Sequence, residues 1–314
     1  MCDGKASFVD LTTRLQEDDG LPVTGLKADV VYAARRAIEA QQHLVYSEKF
    51  ACLPRYLHDI VAKNPGSWMD VKRNEHTSEF MAAFFVFGPA VELLKKVGRN
   101  VSGADFGHST SPVFQGTYAL GIHQTGSGAV LPVWAACFGG VWRNENGQSW
   151  QYCGECVLKA GLQPLYPLGH TNFTDRHKGA HYFGNAIPGI ISLNCTKHII
   201  DNARDYVQTA QKSFHDNMVW QLQGSNSAGE YYAHLAKFNT NYPDVKVNVC
   251  FIVPRVLHFV VHYFLGLLTR KAYLELIPKE QWVHYAQVAL GAHTYGWRTS
   301  NLAEIGMSFA KKMR

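Results

Sequence analysis

The chain has 314 residues, with 30 basic and 25 acidic side chains and a formal net charge of +5. Its hydrophobic share of 46% excludes intrinsic disorder, and its charged share of 18% suits a large buried core. A chain of this length forms one large domain or two small ones. The mild positive charge is compatible with a nucleic-acid partner but does not require one.

The seven cysteines and the first residues bear on the compartment. Seven is an odd number, so the cysteines cannot all pair within one chain. The residues from Met1 to Lys5 are followed by no apolar signal segment, which argues against secretion. We therefore expect reduced thiols in the cytosol or nucleus.

The segment Val249–Leu268 has nearly the length and apolar character of a membrane span. It contains Pro254 and Arg255, and a central arginine costs about 2.5–3.5 kcal/mol on insertion scales. We therefore favour a buried core helix or an irregular insertion, and we expect no membrane partner.

The first hundred residues are predicted to be mostly helical. Residues 1–25 form a loose polar lead, and residues 26–99 form an N-terminal helical region. Within it, Leu53–Ala62 has apolar residues at helical spacing and ends at an Asn-Pro-Gly-Ser turn. The apolar stretch Phe80–Val97 closes on two lysines, which favour a helix C-terminus.

From residue 100 the pattern alternates between strands and helices. The predicted strands are Asn100–Asp105, a hairpin of Gly116–His123 with Ala129–Phe138, Leu165–Thr174 and Ile190–Asn194. The predicted helices are Ser149–Leu162 with Ser149 as its N-cap, His177–Ala186 and Thr196–Gln211. The fold class is therefore α/β: a mixed sheet flanked by helices over 100–211, followed by a helical region over 212–298.

Two aspartates lie at predicted strand ends. Asp105 closes the first strand of this region, and Asp175 follows a later one. Ligands of open sheets bind outside the strand ends, and paired carboxylates there suit Mg²⁺ or Mn²⁺. An aspartate after a strand is also a common turn former or helix N-cap. Glu304, read by itself, is best explained as a residue in the first turn of a helix.

Cys195 and His198 are one helical turn apart on one face. Together with Cys153 and Cys156 they offer three thiolates and one imidazole, a ligand set that binds zinc. The two pairs are further apart than in compact zinc fingers, so we rank this site below the carboxylate site. The chain contains no Walker phosphate loop, dinucleotide glycine fingerprint, nucleophile elbow or His-Glu-x-x-His motif.

Several short motifs occur in a characteristic order between residues 64 and 304. They are Asn64-Pro65-Gly66-Ser67, Gly103-Ala104-Asp105, Phe114-Gln115-Gly116-Thr117-Tyr118, Pro132-Val133-Trp134, Glu145-Asn146, Ser149-Trp150, Thr174-Asp175-Arg176-His177-Lys178-Gly179, Asn194-Cys195-Thr196-Lys197-His198, Ile277-Pro278 and Thr299-Ser300-Asn301-Leu302-Ala303-Glu304. Together they resemble the catalytic core of Mutator-like element (MULE) transposases.

The resemblance implies an RNase H-like fold with a helical insertion before the last carboxylate. It implies that Asp105, Asp175 and Glu304 bind two Mg²⁺ or Mn²⁺ ions for DNA strand cleavage and transfer. The implied partner is DNA, both transposon ends and target, with a possible homo-oligomer, and the implied compartment is the nucleus. Near these carboxylates, Cys195, His198, Arg176, His177 and Lys178 are candidate active-site or DNA contacts, while helix packing remains an alternative for Cys195 and His198.

The chain also departs from the family pattern. Met307 stands where an asparagine is usual three residues after the glutamate, and residues 299–314 provide only the start of a final core helix. Segment 249–268 matches nothing in the family, so we interpret it as an insertion or a gene-model artefact. We expect a core truncated at both ends. The alternative function is an inactive, decayed or domesticated fragment that binds DNA or a protein partner.

Overall fold

One mixed sheet organises the fold. The computed structural model describes residues 30, 33, 52–109, 116–176, 179–204, 211–242 and 270–299. The described strands lie side by side in the order β1-β2-β5-β4-β3-β6-β7. They are β1 (Trp68–Arg73), β2 (Phe80–Val86), β3 (Gly98–His108), β4 (Thr117–Thr125), β5 (Val130–Phe138), β6 (Thr171–Thr174) and β7 (Ile191–Asn194).

The type of strand pairing changes once across the sheet. The pairs from β1 to β3 are antiparallel, whereas β3, β6 and β7 run parallel to one another. Parallel neighbours end at the same edge of a sheet, so the last residues of these three strands lie close together. This edge carries the candidate site.

The described helices are α1 (Leu53–Lys63), α2 (Gly88–Val97), α3 (Gly147–Lys159), α4 (Ala180–Ala186), α5 (Thr196–Ala203), α6 (Lys212–Gln223), α7 (Ala228–Asn241), α8 (Arg270–Glu275) and α9 (His284–Ala289). Buried residues of α2, α3 and α4 pack against one face of the sheet. Helices α5 to α8, with Trp282 and Val283, form a second hydrophobic core of their own, built around residues such as Tyr231, Phe238 and Leu274.

The predicted α/β class, a mixed sheet flanked by helices, is confirmed, and so are the predicted helix Leu53–Ala62 and the hairpin of β4 with β5. Gly128 accounts for the tight hairpin turn, because its φ of +87° is readily accessible only to glycine. Its N–H donates to the carbonyl of Thr125 at 2.9 Å.

Two local predictions are wrong. Residues 26–99 are not helical throughout, because Trp68–Arg73 and Phe80–Val86 are strands. Every residue of β2 is apolar, with Ala82, Phe84 and Val86 in the core and Ala83 buried on the opposite face, so the run resembles a buried helix. The N-cap of α3 is Asn146 rather than Ser149: the Asn146 side chain accepts from the Ser149 N–H at 3.0 Å, and Ser149 Oγ accepts from the Asn146 N–H at 3.0 Å.

The two faces of β3 have different surroundings. Phe106 packs against Trp150 of α3, with ring centroids 4.5 Å apart. On the opposite face, Val101 belongs to a small core with Phe173 and Trp297. Because side chains alternate along a strand, Asp105 shares the face of Val101. The face that carries this carboxylate is therefore the one that residues 292–297 cover.

Gly121 of β4 is required by its neighbour Trp134. A Cβ atom at this position would lie 2.0 Å from Cε2 of the Trp134 ring. We expect Gly121→Ala to lower the free energy of unfolding by about 1–3 kcal/mol, because the fully packed indole has no room to shift. Urea unfolding measures the effect. Gly229→Ala is the control, because a Cβ atom at this exposed helical position would contact only Ser227 Oγ, at 3.9 Å. An equal loss of stability in both variants would contradict the account.

A buried polar network joins β3 to β6 and to the residue directly before β6. Ser102 Oγ donates to Asn172 Oδ1 at 2.7 Å, so it accepts from His170 Nε2 at 2.8 Å. His170 therefore carries a proton on Nε2. Its Nδ1 is buried and has no hydrogen-bond partner among the described residues. Burial lowers the pKa of His170 to about 3, and burial together with His170 lowers the pKa of His123 well below its ordinary value.

This network predicts acid sensitivity. In the unfolded chain both histidines take up a proton as the pH falls through about 6.5, whereas in the folded chain they resist it. Stability is therefore full above that pH and falls as the pH drops towards about 3, by at most about 1.4 kcal/mol per pH unit for each histidine.

Urea unfolding at about pH 7 and about pH 5 measures this slope. His170→Gln should reduce it, whereas His58→Gln, at an exposed position on α1, should leave it unchanged. A wild-type slope equal to that of His170→Gln would contradict the assignment.

Candidate functional site

The pairing register of β3, β6 and β7 places three candidate residues side by side across the sheet. Val101, Ser102 and Gly103 of β3 pair with Thr171, Asn172 and Phe173 of β6, so two residues further on Asp105 is level with Asp175. Between β6 and β7, Thr174 pairs with Asn194, and the Cys195 N–H donates to the Thr174 carbonyl at 2.8 Å. Asp105, Asp175 and Cys195 thus form a row across three parallel strands. Asp175 and Cys195 directly follow β6 and β7, whereas Asp105 does not close its strand as predicted, because β3 continues to His108 through its pairing with β4.

Helix capping does not explain either aspartate. Asp105 lies within β3, where its side chain is 97% buried and its Oδ1 accepts the N–H of Phe106 at 2.9 Å. Asp175 follows β6 and is half-buried, and the helix after it, α4, has Gly179 as its N-cap. A buried carboxylate is costly unless it is hydrogen-bonded or close to a positive charge.

His198 supplies a positive charge at this row. It lies on α5, one turn after Cys195, and is half-buried. Burial alone would lower the pKa of His198. The hydrogen bond and charge of Cys195, together with the charges of Asp105 and Asp175, outweigh burial and raise this pKa to about 10. The imidazole is therefore protonated at neutral pH and offsets part of the negative charge.

Glu145 is a site residue that the sequence prediction missed. Burial and the nearby charge of Asp175 raise its pKa to about 8, although a hydrogen bond from Trp150 and the charge of His198 lower it. The Trp150 indole N–H donates to Glu145 Oε1 at 2.7 Å. The glutamate therefore belongs to the same electrostatic environment as Asp175 and His198.

Two local features bring Glu145 to Asp175. The reciprocal cap between Asn146 and Ser149 fixes the start of α3, directly after Glu145. Gly179, four residues after Asp175, packs on this start: a Cβ there would lie 2.8 Å from Trp150 Cδ1 and 2.9 Å from the Asn146 carbonyl carbon. A signal existed in the sequence, since an acidic residue precedes a polar N-cap in the loop between strand and helix.

The chain returns to this row from the helical region. Trp297 packs on Phe173, with ring centroids 6.5 Å apart. The Arg298 carbonyl accepts the N–H of Thr196 at 3.0 Å. Thr299 Oγ1 and Cys195 Sγ share a hydrogen bond 2.9 Å long. The last described residue, Thr299, therefore lies at the row of Asp105, Asp175 and Cys195.

Arg176 connects this edge with the helical region. Its Nη1 donates to the Tyr273 hydroxyl at 2.6 Å, and its guanidinium lies 5.0 Å from the Tyr273 ring centroid. Tyr273 belongs to α8 and is buried in the second core. The arginine therefore joins the segment after Asp175 to the helical core.

The four candidate zinc ligands lie in two different surroundings. Cys153 and Cys156 are buried on α3 in the core of the sheet, where burial raises the pKa of the Cys156 thiol to about 12. Cys195 lies before α5 and contacts Thr299. Among the residues that the structure describes, no three His, Cys, Asp or Glu side chains form a group that could hold a metal ion.

Three candidate site residues, Glu304, His177 and Lys178, lie outside the described residues, as does segment 249–268. In the described part of the chain, no helix combines the length and apolar character needed to cross a membrane.

Comparison with protein-family models finds no match, and comparison with curated proteins finds none either.

Proposed function

We propose that the chain is the catalytic core of a MULE-type transposase with an RNase H-like fold, acting on DNA in the nucleus. The observation that carries the proposal is the level placement of Asp105 on β3 and Asp175 directly after β6, the adjacent parallel strand. The mixed sheet flanked by helices is compatible with that fold. The ordered motifs between residues 64 and 304 support it independently.

Glu304 is the third carboxylate of this proposal. Thr299, five residues earlier in the chain, is hydrogen-bonded to Cys195 at the end of the aspartate row. Five residues span about 7.5 Å in a helix and about 17 Å when extended. Glu304 is therefore within reach of Asp105 and Asp175.

The donor set suits hard divalent cations. Asp105, Asp175 and Glu304 offer carboxylate oxygens, the ligands that Mg²⁺ and Mn²⁺ prefer, and water and phosphate oxygens can complete the coordination. When bound, two such ions activate the attacking oxygen and stabilise the leaving oxygen in an in-line displacement at phosphorus. The chain's own residues orient the phosphodiester, and the His198 imidazole, close to both aspartates, is the side chain that we assign to contact it.

A non-cleaving descendant that binds DNA or a protein partner is the second candidate. Two observations favour it: the described residues form no metal-binding group of three, and Met307 replaces the asparagine usual in the family. Such a protein should bind DNA with an affinity that falls as salt rises, without cutting it.

Plasmid nicking separates the two candidates. The full chain is incubated with supercoiled DNA and Mn²⁺, with EDTA as the negative control, while DNA binding is followed by fluorescence anisotropy at several salt concentrations. Nicking that requires Mn²⁺ supports the transposase core. Salt-dependent binding without any nicking supports the second candidate and rejects the first.

A further inference from the structure

Arg176 brings a guanidinium charge directly next to the aspartate row. It follows Asp175 in the chain and is half-buried. The cations of α5 are already neutralised, because Lys197 and Arg204 both pair with Asp201. Arg176 forms no such pair with any acidic residue that the structure describes. Within this part of the chain, its charge is therefore available to an anion from outside the protein.

Tyr273 holds this guanidinium in place. Nη1 of Arg176 donates to the Tyr273 hydroxyl at 2.6 Å, and the guanidinium carbon lies 5.0 Å from the Tyr273 ring centroid. The tyrosine is itself fixed, since it is only 3% exposed and belongs to the second core, on a helix that contacts α5. The hydrogen bond uses a single N–H group. The remaining N–H groups keep the planar fork that binds the oxygens of a phosphate.

We infer that Arg176 binds a phosphate group of the DNA backbone beside the aspartate row, and that Tyr273 is the positioning residue that orients its guanidinium. The inference rests on the proposed function, because DNA is the partner proposed there. A side chain that is oriented before binding loses less conformational entropy when the phosphate is bound. The helical region thereby contributes to the site, because it directs a side chain whose backbone follows strand β6.

Arg176→Gln and Tyr273→Phe test this assignment. Binding of a short DNA duplex to the full chain is followed by fluorescence anisotropy at several salt concentrations, with Mn²⁺ and with EDTA. Lys197→Gln is the control for the lost charge, because Lys197 is paired with Asp201 on α5. Tyr231→Phe is the control for the lost hydroxyl, because Tyr231 is buried in the same core and its hydroxyl has no hydrogen-bond partner among the described residues.

We expect Arg176→Gln to bind the duplex about tenfold more weakly and to reduce the slope of log Kd against log salt by about 0.9, the loss of one phosphate contact. Tyr273→Phe should weaken binding about fivefold in the wild-type chain but less than about 1.5-fold in the Arg176→Gln chain, because a positioning residue acts only through the residue that it orients. Lys197→Gln and Tyr231→Phe should stay within about 1.5-fold of the wild type.

The outcomes separate this inference from the proposed function. If Arg176→Gln leaves the salt slope unchanged, or Lys197→Gln reduces it equally, the phosphate contact is wrong while the proposed function stands. An equal effect of Tyr273→Phe in both chains rejects its positioning role. The expected binding effects in a wild-type chain that does not nick DNA support the contact and reject only the transposase core. A wild-type chain without salt-dependent binding overturns both.

Discussion

Replacing Asp105 with asparagine is expected to reduce Mn²⁺-dependent nicking by at least about 100-fold, equivalent to about 2.7 kcal/mol of lost transition-state stabilisation. An asparagine side chain has nearly the same shape but carries no charge, so it cannot hold a divalent cation beside Asp175 as a carboxylate does. Asp105 is the sole acidic residue of β3, so no other carboxylate on this strand can replace it. Initial nicking rates on supercoiled plasmid measure the effect.

The control for this variant is Asp59→Asn on α1. Asp59 is an exposed aspartate whose Oδ1 lies 4.0 Å from His58 Nδ1 on the same helix, so its change removes one carboxylate outside the sheet. We expect wild-type nicking from Asp59→Asn. Equal rates in wild type, Asp105→Asn and Asp59→Asn, with all three proteins folded by circular dichroism, would remove Asp105 from the site.

Replacing Trp150 with alanine is expected to lower the free energy of unfolding by about 3–5 kcal/mol. The Trp150 side chain is completely buried and contacts Phe106, at a centroid distance of 4.5 Å, and Phe183, at 6.0 Å. Alanine leaves a large cavity between β3, α3 and α4. A domain has only about 5–15 kcal/mol of net stability, so this is a large share of the total. Urea unfolding measures the loss.

Trp150→Phe is the matched variant, because it keeps most of the ring packing and removes the indole N–H that donates to Glu145 Oε1. We expect a smaller loss, about 1–3 kcal/mol, from the carboxyl left without this donor and from the reduced ring volume. If phenylalanine costs as much as alanine, packing is not what makes Trp150 important. If alanine costs less than about 1 kcal/mol, Trp150 is not central to this core.

The sequence predicted those elements whose residues decide their structure locally. In the hairpin of β4 and β5, alternating apolar residues and the Gly128 turn suffice, because pairing partners are close in the chain. Strand β2 was predicted as helix, since all its residues are apolar and show no alternation, and its pairing partner β5 lies over forty residues further along the chain. The pattern of a short strand covered on both faces is the same as that of a buried helix.

In the candidate site too, the residues that a local pattern marks were predicted, and those placed by distant contacts were not. The two aspartates were predicted because each ends an apolar run in the sequence, and ligands of open sheets bind at strand ends. In the structure this holds for Asp175, whereas β3 continues past Asp105 to His108. Glu145 was missed, because only the packing of Gly179 against Asn146 and Trp150 brings it to Asp175. The contact of Cys195 with Thr299 joins residues 104 positions apart, which no local pattern predicts.

The most direct test of the central claim is a crystal structure of the full chain with Mn²⁺ and a DNA duplex, from which the distances between the carboxylate groups of Asp105, Asp175 and Glu304 are measured. The account predicts that all three lie within roughly 4–8 Å of one another and share a pair of ions about 3.5–4 Å apart. A structure in which Glu304 points to a remote surface, with no ion between Asp105 and Asp175, would contradict it.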